Sequence, residues 1–189
     1  MVSLALFASG SGSNAEKIVE YFHDHPQIQV RLILCNNPEA GVIARAERLG
    51  VPLVLFTREE FRSERVLEIL RETGIDWVIL AGFLWLVPKD LVAAFPGKIL
   101  NLHPALLPKF GGKGMYGHFV HEAVVAAGER ESGITIHRVD EHYDEGAVVF
   151  QARFPVEPGD TPADVARKGQ ALEHEWFPKV IEEQVLPSP

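Results

Sequence analysis

Asn101 and His103 stand two residues apart in the stretch KILNLHPALLPKF, residues 98–110. Alternate residues of a β-strand point to the same face, so we expect the carboxamide and the imidazole to be directed at one point. An amide N–H and an imidazole placed together can bind a carbonyl oxygen and stabilise the negative charge that develops on it. Pro104 and Pro108 restrict the backbone that follows, because proline fixes φ. The stretch therefore predicts chemistry at a carbonyl carbon.

The acidic segment DEHYDEG, residues 140–146, is a candidate source of a carboxylate for this pair. A carboxylate beside His103 would hold its tautomer and raise its pKa, which would make the ring a usable acid near neutral pH. Spacing does not choose among four candidates, and the segment equally fits a solvated hairpin turn. The candidates are Asp140, Glu141, Asp144 and Glu145.

The loop ASGSGSNAEKI, residues 8–18, lies between an apolar run and a helix-length segment. Backbone amides at a helix N-terminus form an anion site, and the side chains of Ser13 and Asn14 add donors suited to one phosphate. The glycine spacing around Gly12 matches the dinucleotide-binding fingerprint. However, the second expected strand ends in Cys-Asn-Asn at residues 35–37, where that fingerprint has an acid for a ribose hydroxyl. The loop predicts a phosphate site; a tight turn that merely needs glycine is the alternative.

Eight histidines raise the question of a metal site. His118 and His121 stand three residues apart on an expected helix, which would place them on one face. Neither a cysteine cluster nor a His-Glu-x-x-His motif accompanies them. We therefore expect surface histidines and no catalytic metal.

The elements that must position these residues alternate along the chain. Continuous apolar strands that alternate with helices predict a parallel sheet covered on both faces, and right-handed crossovers favour a doubly wound arrangement. The expected strands are residues 2–8, 30–35, 52–56, 77–81 and 98–102, and the expected helices are residues 14–23, 41–49, 58–73 and 88–95.

The rhythm changes after residue 130. The alternating runs GITIHRV and AVVFQARFPV flank the acidic segment and predict an antiparallel hairpin, and residues 161–183 predict a helix. The expected fold class is α/β, with a doubly wound, mostly parallel sheet and a C-terminal antiparallel hairpin. Ligands bind beyond the carboxyl ends of parallel strands, so the loops after the first, fourth and fifth strands should meet at one site.

Length and composition narrow the class of protein. The 189 residues fit one domain, and 47% apolar with 23% charged residues is typical of an ordinary soluble globule. The net charge of −8 argues against nucleic-acid binding. Cys35 is the single cysteine, so no intrachain disulfide can form and a reducing compartment is expected. The short apolar N-terminal run has no basic flank and predicts neither a signal peptide nor a membrane span. We expect a cytoplasmic protein.

Taken together, the motifs SGSGSN, LAGFL, NLHPALLPKF, YDEG and LEH resemble those of the folate-dependent formyltransferases over nearly the whole chain. N-x-HP-x-LLP with a downstream D-x-G is specific to the formyltransferase fold, and GSGSN with LEH points to the branch of phosphoribosylglycinamide formyltransferases. The resemblance implies one domain, residues 1–189, with a nucleotide-binding half over about residues 1–100 and a folate-binding, catalytic half over about residues 101–189.

The resemblance also implies an activity. A formyl group would pass from the co-substrate 10-formyltetrahydrofolate to the amine of glycinamide ribonucleotide, a step of purine biosynthesis. Asn101 and His103 would stabilise the oxygen of the tetrahedral intermediate, and charged His103 would protonate the departing folate nitrogen. The partners would be these two small molecules, with no metal, nucleic acid or membrane, in a monomer or homodimer.

Site residues follow from the same motifs. The catalytic set would be Asn101, His103 and Asp144, so the resemblance selects Asp144 from the four carboxylates. The acceptor would lie against Gly12, Ser13, Asn14 and Glu173, with Glu173 holding the amine. The folate would lie against Arg58, Leu84, Trp85, Leu86, Val87, Asn101, Val139, Asp140 and Glu141.

Two features depart from the family pattern, and other readings stay open. Many members have an arginine in the segment after LAGF, where this chain has Trp85, and the loop at residues 111–124 is longer than in many members. A sugar amine formyltransferase of the same fold is an alternative. A methionyl-tRNA formyltransferase would need an additional RNA-binding domain and a basic face, and a formyltetrahydrofolate hydrolase usually carries a regulatory domain. A non-catalytic nucleotide-binding module would leave Asn101 and His103 unexplained.

Overall fold

The computed structural model describes residues 1–142 and 144–186, which form a seven-stranded sheet in the order β3-β2-β1-β4-β5-β6-β7. The first five strands pair in parallel, whereas β6 is antiparallel to both β5 and β7. This confirms the expected fold class, including the hairpin. The strands are β1 Val2–Ala8, β2 Ile28–Cys35, β3 Leu53–Leu55, β4 Trp77–Leu80, β5 Ile99–His103, β6 Glu131–Arg138 and β7 Val148–Pro155.

Helices cover both faces of the sheet because successive strand residues point to opposite sides. On β1, Leu4 and Leu6 pack with helices α1, α2 and α7, whereas Ala5 and Phe7 pack with α3, α4 and α5. The two apolar layers are those of a doubly wound sheet. The helices are α1 Ser13–Phe22, α2 Val42–Leu49, α3 Arg58–Arg62, α4 Arg65–Glu72, α5 Lys89–Ala94, α6 His118–Ala126 and α7 Pro162–Val185.

The prediction of a single helix over residues 58–73 is wrong, because the segment forms two helices, α3 and α4. The predicted capping box is present: the side chain of Thr57 accepts a hydrogen bond from the amide of Glu60, whose carboxylate accepts one from the amide of Thr57. Ser63 then adopts an extended conformation, with φ −89° and ψ 176°, which ends α3. The apolar periodicity hides this break, since Phe61 and Val66 pack into the same layer.

The remaining element bounds differ from the expected ones by at most two residues. Helix α7 begins with a second capping box, formed by Thr161 and Asp164. None of the helices in the described ranges combines the length and the apolar character needed to cross a bilayer. The loops after β1, β4 and β5 meet at the carboxyl edge of the sheet, where they line one cleft.

Candidate active site

Four polar side chains meet where β5 and β6 pair. Asn101 lies opposite His137 and His103 lies opposite Thr135 in the antiparallel register, so all four share one face of the sheet. Leu102, between the β5 pair, is buried in the layer on the other face. The expected common direction of Asn101 and His103 is present, and His137 and Thr135 are additional members that the sequence reading missed.

His137 orients the side chain of Asn101. Nδ1 of His137 lies 3.0 Å from the carbonyl oxygen of Arg138, which only accepts, so Nδ1 carries the proton. Nε2 is therefore an acceptor, and it lies 3.1 Å from Nδ2 of Asn101. This bond uses one amide hydrogen of Asn101, and the second can be donated to a substrate oxygen.

His103 is fixed in one tautomer. Its Nε2 donates to the carbonyl oxygen of Phe110 at 2.7 Å, so the neutral ring carries its proton there. Nδ1, the atom that gains a proton when the ring becomes charged, lies 3.6 Å from Oδ2 of Asp144. Protonation of His103 therefore places positive charge directly beside the Asp144 carboxylate.

Burial lowers the pKa of His103 below its ordinary value, and the nearby charge of His137 acts in the same direction. Asp144 and the Phe110 carbonyl oppose the decrease. Asp144 acts in the expected direction, since it raises the pKa of His103. The net pKa of His103 is nevertheless lowered, so the prediction of a raised pKa is wrong. The ring is only 3% exposed, and loss of hydration exceeds the attraction of the carboxylate.

Asp144 lies between the two histidines. Its Oδ1 is 3.6 Å from Nε2 of His137, and its Oδ2 accepts a hydrogen bond from the amide of Gly112 at 3.0 Å. Burial by itself would raise the pKa of Asp144, but the charge of protonated His103 and the hydrogen bond from this amide oppose burial, and the pKa lies below the usual range. The carboxylate is therefore charged at neutral pH. Gly146 lets the loop pass close to β6, because a Cβ there would lie 1.7 Å from the Arg138 carbonyl oxygen.

The other three acidic candidates lie elsewhere. Asp140 accepts a hydrogen bond from the amide of His142 at 2.8 Å, Glu141 pairs with Lys89 at 2.7 Å, and Glu145 is exposed. Within the described ranges the tertiary structure thus brings Asp144, and not its three acidic neighbours, to His103.

The loop after β5 is held by side chains as well as by its prolines. Thr135 Oγ1 donates to the carbonyl oxygen of Ala105 at 2.6 Å and accepts from the amide of Leu107 at 3.0 Å. Nε2 of Gln151 donates to the carbonyl oxygen of Leu107 at 3.0 Å. The β6–β7 hairpin therefore anchors the backbone that follows His103.

The glycine-serine loop is clamped between β1 and α2. Gly12 is the N-cap of α1 with φ 76°, and a Cβ there would lie 2.5 Å from the side chain of Val42. The amide of Val42 donates to the carbonyl oxygen of Gly10 at 3.1 Å, and Nε of Arg45 donates to that of Ser11 at 2.8 Å. These contacts hold the loop in one conformation, and the amides of the first turn of α1 lie at its end.

Helix α7 brings Glu173 onto this loop. Nδ2 of Asn14 donates to Oε2 of Glu173 at 2.6 Å, and Nε2 of Gln170 donates to Oγ of Ser13 at 3.2 Å. Burial raises the pKa of Glu173, and the hydrogen bond from Asn14 opposes that change. Asn14 and Glu173 are 159 positions apart in the chain. The fold therefore brings together the residues expected to bind the acceptor.

A cleft of about 1100 Å³ joins the glycine-serine loop to the end of β5. The guanidinium of Arg58 stacks 4.8 Å from the centroid of the Trp85 ring at its wall. Asp140 is the one residue of the expected folate set that does not line the cleft, and Tyr143 lies outside the described residues. The members that line it are Arg58, Leu84, Trp85, Leu86, Val87, Asn101, Val139 and Glu141.

The comparison with known protein families agrees with this geometry. The family described as formyl transferase matches residues 2–181. The chain belongs to the formyl transferase family. Among relatives, an Arabidopsis thaliana protein named "Phosphoribosylglycinamide formyltransferase, chloroplastic" is 42% identical over 185 residues, which are 94% of this chain and 63% of the plant protein. The chain thus spans less than two thirds of that relative.

Other members of the formyl transferase family match this chain over most of their own length. A Bacillus subtilis phosphoribosylglycinamide formyltransferase is 34% identical over 189 residues, 97% of this chain and 94% of that protein. The crystal structure of phosphoribosylglycinamide formyltransferase from Bacillus halodurans superimposes with a TM-score of 0.89 at 33% identity, covering 99% of this chain and 97% of that one. The resemblance seen in the sequence motifs is confirmed.

His118 and His121, the two histidines considered as metal ligands, have different surroundings. His118 is exposed and its ring lies 4.0 Å from that of Phe119, whereas His121 lines the cleft. Among residues 1–142 and 144–186, no group of three or more His, Cys, Asp and Glu side chains is placed to hold a metal ion.

Several members of the site were missed for identifiable reasons. The alternation in GITIHRV places Thr135 and His137 on one strand face, but only the register with β5 shows that this is the face of Asn101 and His103. Gln170 stands three residues before Glu173, nearly one helical turn away, which was an available signal. The amide of Gly112 carries no sequence signal, since every residue except proline has a backbone N–H.

Proposed function

We propose that this formyl transferase family member transfers the formyl group of 10-formyltetrahydrofolate to the amine of glycinamide ribonucleotide. The observation that carries the proposal is that one cleft is lined by Asn101, His103 and Asp144 together with the glycine-serine loop and Glu173. One ligand with a carbonyl group and another with a phosphate and an amine fit these two groups of residues. The names of the B. subtilis and plant relatives support the same acceptor.

Asn101 and His103 act on the formyl oxygen. When the amine attacks the formyl carbon, the carbonyl π bond becomes a lone pair on oxygen, and the amide hydrogen of Asn101 donates to that oxygen. A charged His103 adds a second positive group at the same point. Loss of one preorganised donor of this kind costs about 100-fold to 1000-fold in rate. Because His137 fixes Asn101 before substrate arrives, no reorganisation of the amide is needed.

The departing folate nitrogen requires a proton as its bond to the formyl carbon breaks. We assign this proton to His103, directly or through water, because protonation of Nδ1 is favoured by Asp144. Burial keeps the fraction of charged His103 below that of an ordinary histidine at neutral pH. The anionic intermediate would increase that fraction, since it adds a negative charge beside the ring.

The acceptor binds in the same cleft, against the glycine-serine loop and Glu173. The first-turn amides of α1 and the side chains of Ser13 and Asn14 are the donors for its phosphate, and Gly12 supplies the loop conformation they need. Glu173 holds the amine: its half-buried carboxylate can accept a hydrogen bond from an N–H of the neutral amine, whose lone pair stays free to attack the formyl carbon.

The donor fits the apolar part of the cleft wall. A volume of about 1100 Å³ suits a molecule of folate size, and the apolar side chains of Leu84 and Val87 with the Trp85 ring offer surface to its aromatic parts. Arg58 at the mouth is the cation for the carboxylates of its glutamate tail. The chemistry needs no resident cofactor beyond this co-substrate.

A spectrophotometric assay tests the proposal. Purified protein is mixed with 10-formyltetrahydrofolate and either glycinamide ribonucleotide or an amino sugar nucleotide, and formation of tetrahydrofolate is followed. We expect turnover with glycinamide ribonucleotide alone. Turnover only with the amino sugar would show that the acceptor is a sugar amine. Binding of the ligands without turnover of either acceptor would show that the protein is a non-catalytic nucleotide-binding module.

A cytoplasmic location and a monomeric or dimeric state complete the proposal. The buried free thiol of Cys35, whose pKa is raised by burial, is compatible with a reducing compartment. Cell fractionation and the molar mass of the purified protein from light scattering test these two statements.

A further inference from the structure

Four imidazoles line the cleft, those of His103, His121, His137 and His142. His121 lies on α6, which packs against α7, the helix that carries Glu173. His121 therefore borders the same space as the proposed amine ligand Glu173 and the proposed acid His103. Nothing in the reaction described so far uses it.

The ring of His121 has a buried nitrogen without a partner. Its Nδ1 is inaccessible to solvent and makes no hydrogen bond within residues 1–142 and 144–186. An unsatisfied buried polar atom costs about 1–3 kcal/mol, so such atoms are rare and call for a reason. The other ring nitrogen, Nε2, is accessible and also makes no hydrogen bond within the described ranges, so Nε2 is the atom that a substrate in the cleft can reach.

Of the other three imidazoles, His103 and His137 have protein contacts on both nitrogens, whereas His142 is exposed and its Nδ1 lies 3.7 Å from Oδ1 of Asp140. His103 contacts Phe110 and Asp144, and His137 contacts Arg138 and Asn101. Formyl transfer requires two proton movements: the amine loses one proton as its lone pair forms the new C–N bond, and the folate nitrogen gains one as the old C–N bond breaks. His103 is assigned to the second movement, and the first needs an acceptor.

We propose that His121 is the general base of the reaction and takes up the proton that the acceptor amine loses. The nitrogen lone pair of the amine forms the bond to the formyl carbon, the N–H bonding pair returns to nitrogen, and the proton moves to the imidazole of His121. His103 gives a proton to the leaving nitrogen, so the transfer is balanced overall. The inference rests on the proposed function and assigns a further residue to it.

The surroundings of His121 keep it in the form that a base requires. Burial lowers the pKa of His121, and the charges of His103 and His118 lower it further. Asp144, Glu173, Lys113 and Tyr116 are further titratable groups on the same cleft. A lowered pKa means that the ring is neutral at neutral pH and becomes charged, hence inactive as a base, only in more acidic solution. The rate should therefore fall on the acid side.

The test compares two histidine variants of α6. His121→Gln removes the base but keeps a polar side chain, and His118→Gln is the matched control because His118 is exposed one helical turn earlier. We expect His121→Gln to lower kcat with glycinamide ribonucleotide by on the order of 100-fold and to remove the His121-dependent acid limb of the pH–rate profile. His118→Gln should leave kcat at neutral pH unchanged and should retain the acid limb, shifted only slightly to higher pH because one charge that lowers the pKa of His121 is removed.

An NMR titration of the His121 ring in the wild-type protein gives an independent readout that does not depend on a variant that folds. Its midpoint should coincide with an acid limb of the wild-type profile, separate from any limb caused by Glu173. Either of two results with the variant would overturn the inference: an unchanged kcat in His121→Gln, or a lower kcat with an unaltered acid limb. A midpoint that matches no limb would do the same. If wild-type protein formylates only another amine, the proposed acceptor fails, while the same variants still decide the role of His121.

Discussion

The two sides of the cleft are built differently. At the end of β5, Asn101, His103 and Asp144 are buried or half-buried, and protein groups hold each of them. At the rim, Leu84 and Leu86 are 44% and 42% exposed. The ion pair of Lys89 with Glu141 at the rim is exposed on both sides.

The difference reflects what each region has to do. Stabilising a developing oxyanion depends on atoms held within fractions of an ångström, so the catalytic end is fixed before substrate binds. We expect the rim to contact substrate and transition state equally. Such contacts change the affinity for substrate but not the rate of the chemical step. Substitutions at the catalytic end should therefore change kcat, and those at the rim should change KM weakly.

The largest effect is expected from Asp144→Asn. Removing the carboxylate removes the charge that raises the pKa of His103, so this pKa falls further and the charged acid becomes scarcer at neutral pH. We expect kcat to decrease by about 100-fold to 1000-fold and the descending, alkaline limb due to His103 to move to lower pH. The pH dependence of kcat and an NMR titration of His103 measure both changes.

Glu145→Gln is the matched control, since this exposed neighbour lies outside the contact with His103. Its kcat should stay within about twofold of wild type. An unaltered His103 pKa in Asp144→Asn, or a decrease of that pKa in Glu145→Gln, would show that the wrong carboxylate has been assigned.

The next effect concerns the acceptor end. Glu173→Gln removes the charged partner of the amine, and a hydrogen bond to a charged group contributes about 1.5–3 kcal/mol. Acceptor affinity measured by calorimetry should therefore fall by about 10-fold to 100-fold, with donor binding unchanged. Glu175→Gln, on an exposed side chain of the same helix, serves as the control. Intact acceptor binding in Glu173→Gln would remove this residue from the site.

Gly12→Ala tests the shape of the phosphate loop. The added Cβ would meet Val42 at 2.5 Å in a backbone conformation with φ 76°, so the loop must shift. Strain of about 1–3 kcal/mol at this point should raise the KM for glycinamide ribonucleotide by about 10-fold, and the donor KM should not follow. At Gly10 a Cβ meets nothing within 4 Å, which makes Gly10→Ala the control. A change confined to the donor KM would mean that the loop binds the other substrate.

The smallest effect is expected at the rim, from Lys89→Met. The substitution breaks the exposed pair with Glu141, and such pairs contribute little because water and salt screen them. Donor KM should stay within about twofold and kcat should not change. Glu141→Gln should behave alike. A tenfold rise in donor KM for Lys89→Met alone would show that Lys89 itself contributes strongly to donor binding and would contradict the weak effect expected at the rim.

Most strands and helices of the fold were predicted from local sequence patterns. The apolar run of β1, the capping box at Thr57 and the alternation in GITIHRV each have a physical cause within a few residues, and each was read correctly. The break at Ser63 was not, because helices α3 and α4 share one apolar face and the periodicity continues across the gap. The Asn-x-His spacing at the end of a strand predicted Asn101 and His103 as site residues, whereas Glu173, in the middle of α7, was predicted only through the resemblance to the family.

The sequence by itself determined the α/β architecture and the groups available for chemistry, because strand and helix periodicity and side-chain type are local properties. Only the tertiary structure decided which groups meet. The register of β5 with β6 placed His137 against Asn101, and the path of the chain after β6 placed Asp144, rather than Asp140, beside His103. Burial, which no single segment determines, made the pKa of His103 lower than the expected carboxylate partner suggested. Contacts between distant segments and exclusion of water arise only when the whole chain is folded, so their consequences for charge cannot be read from residue spacing.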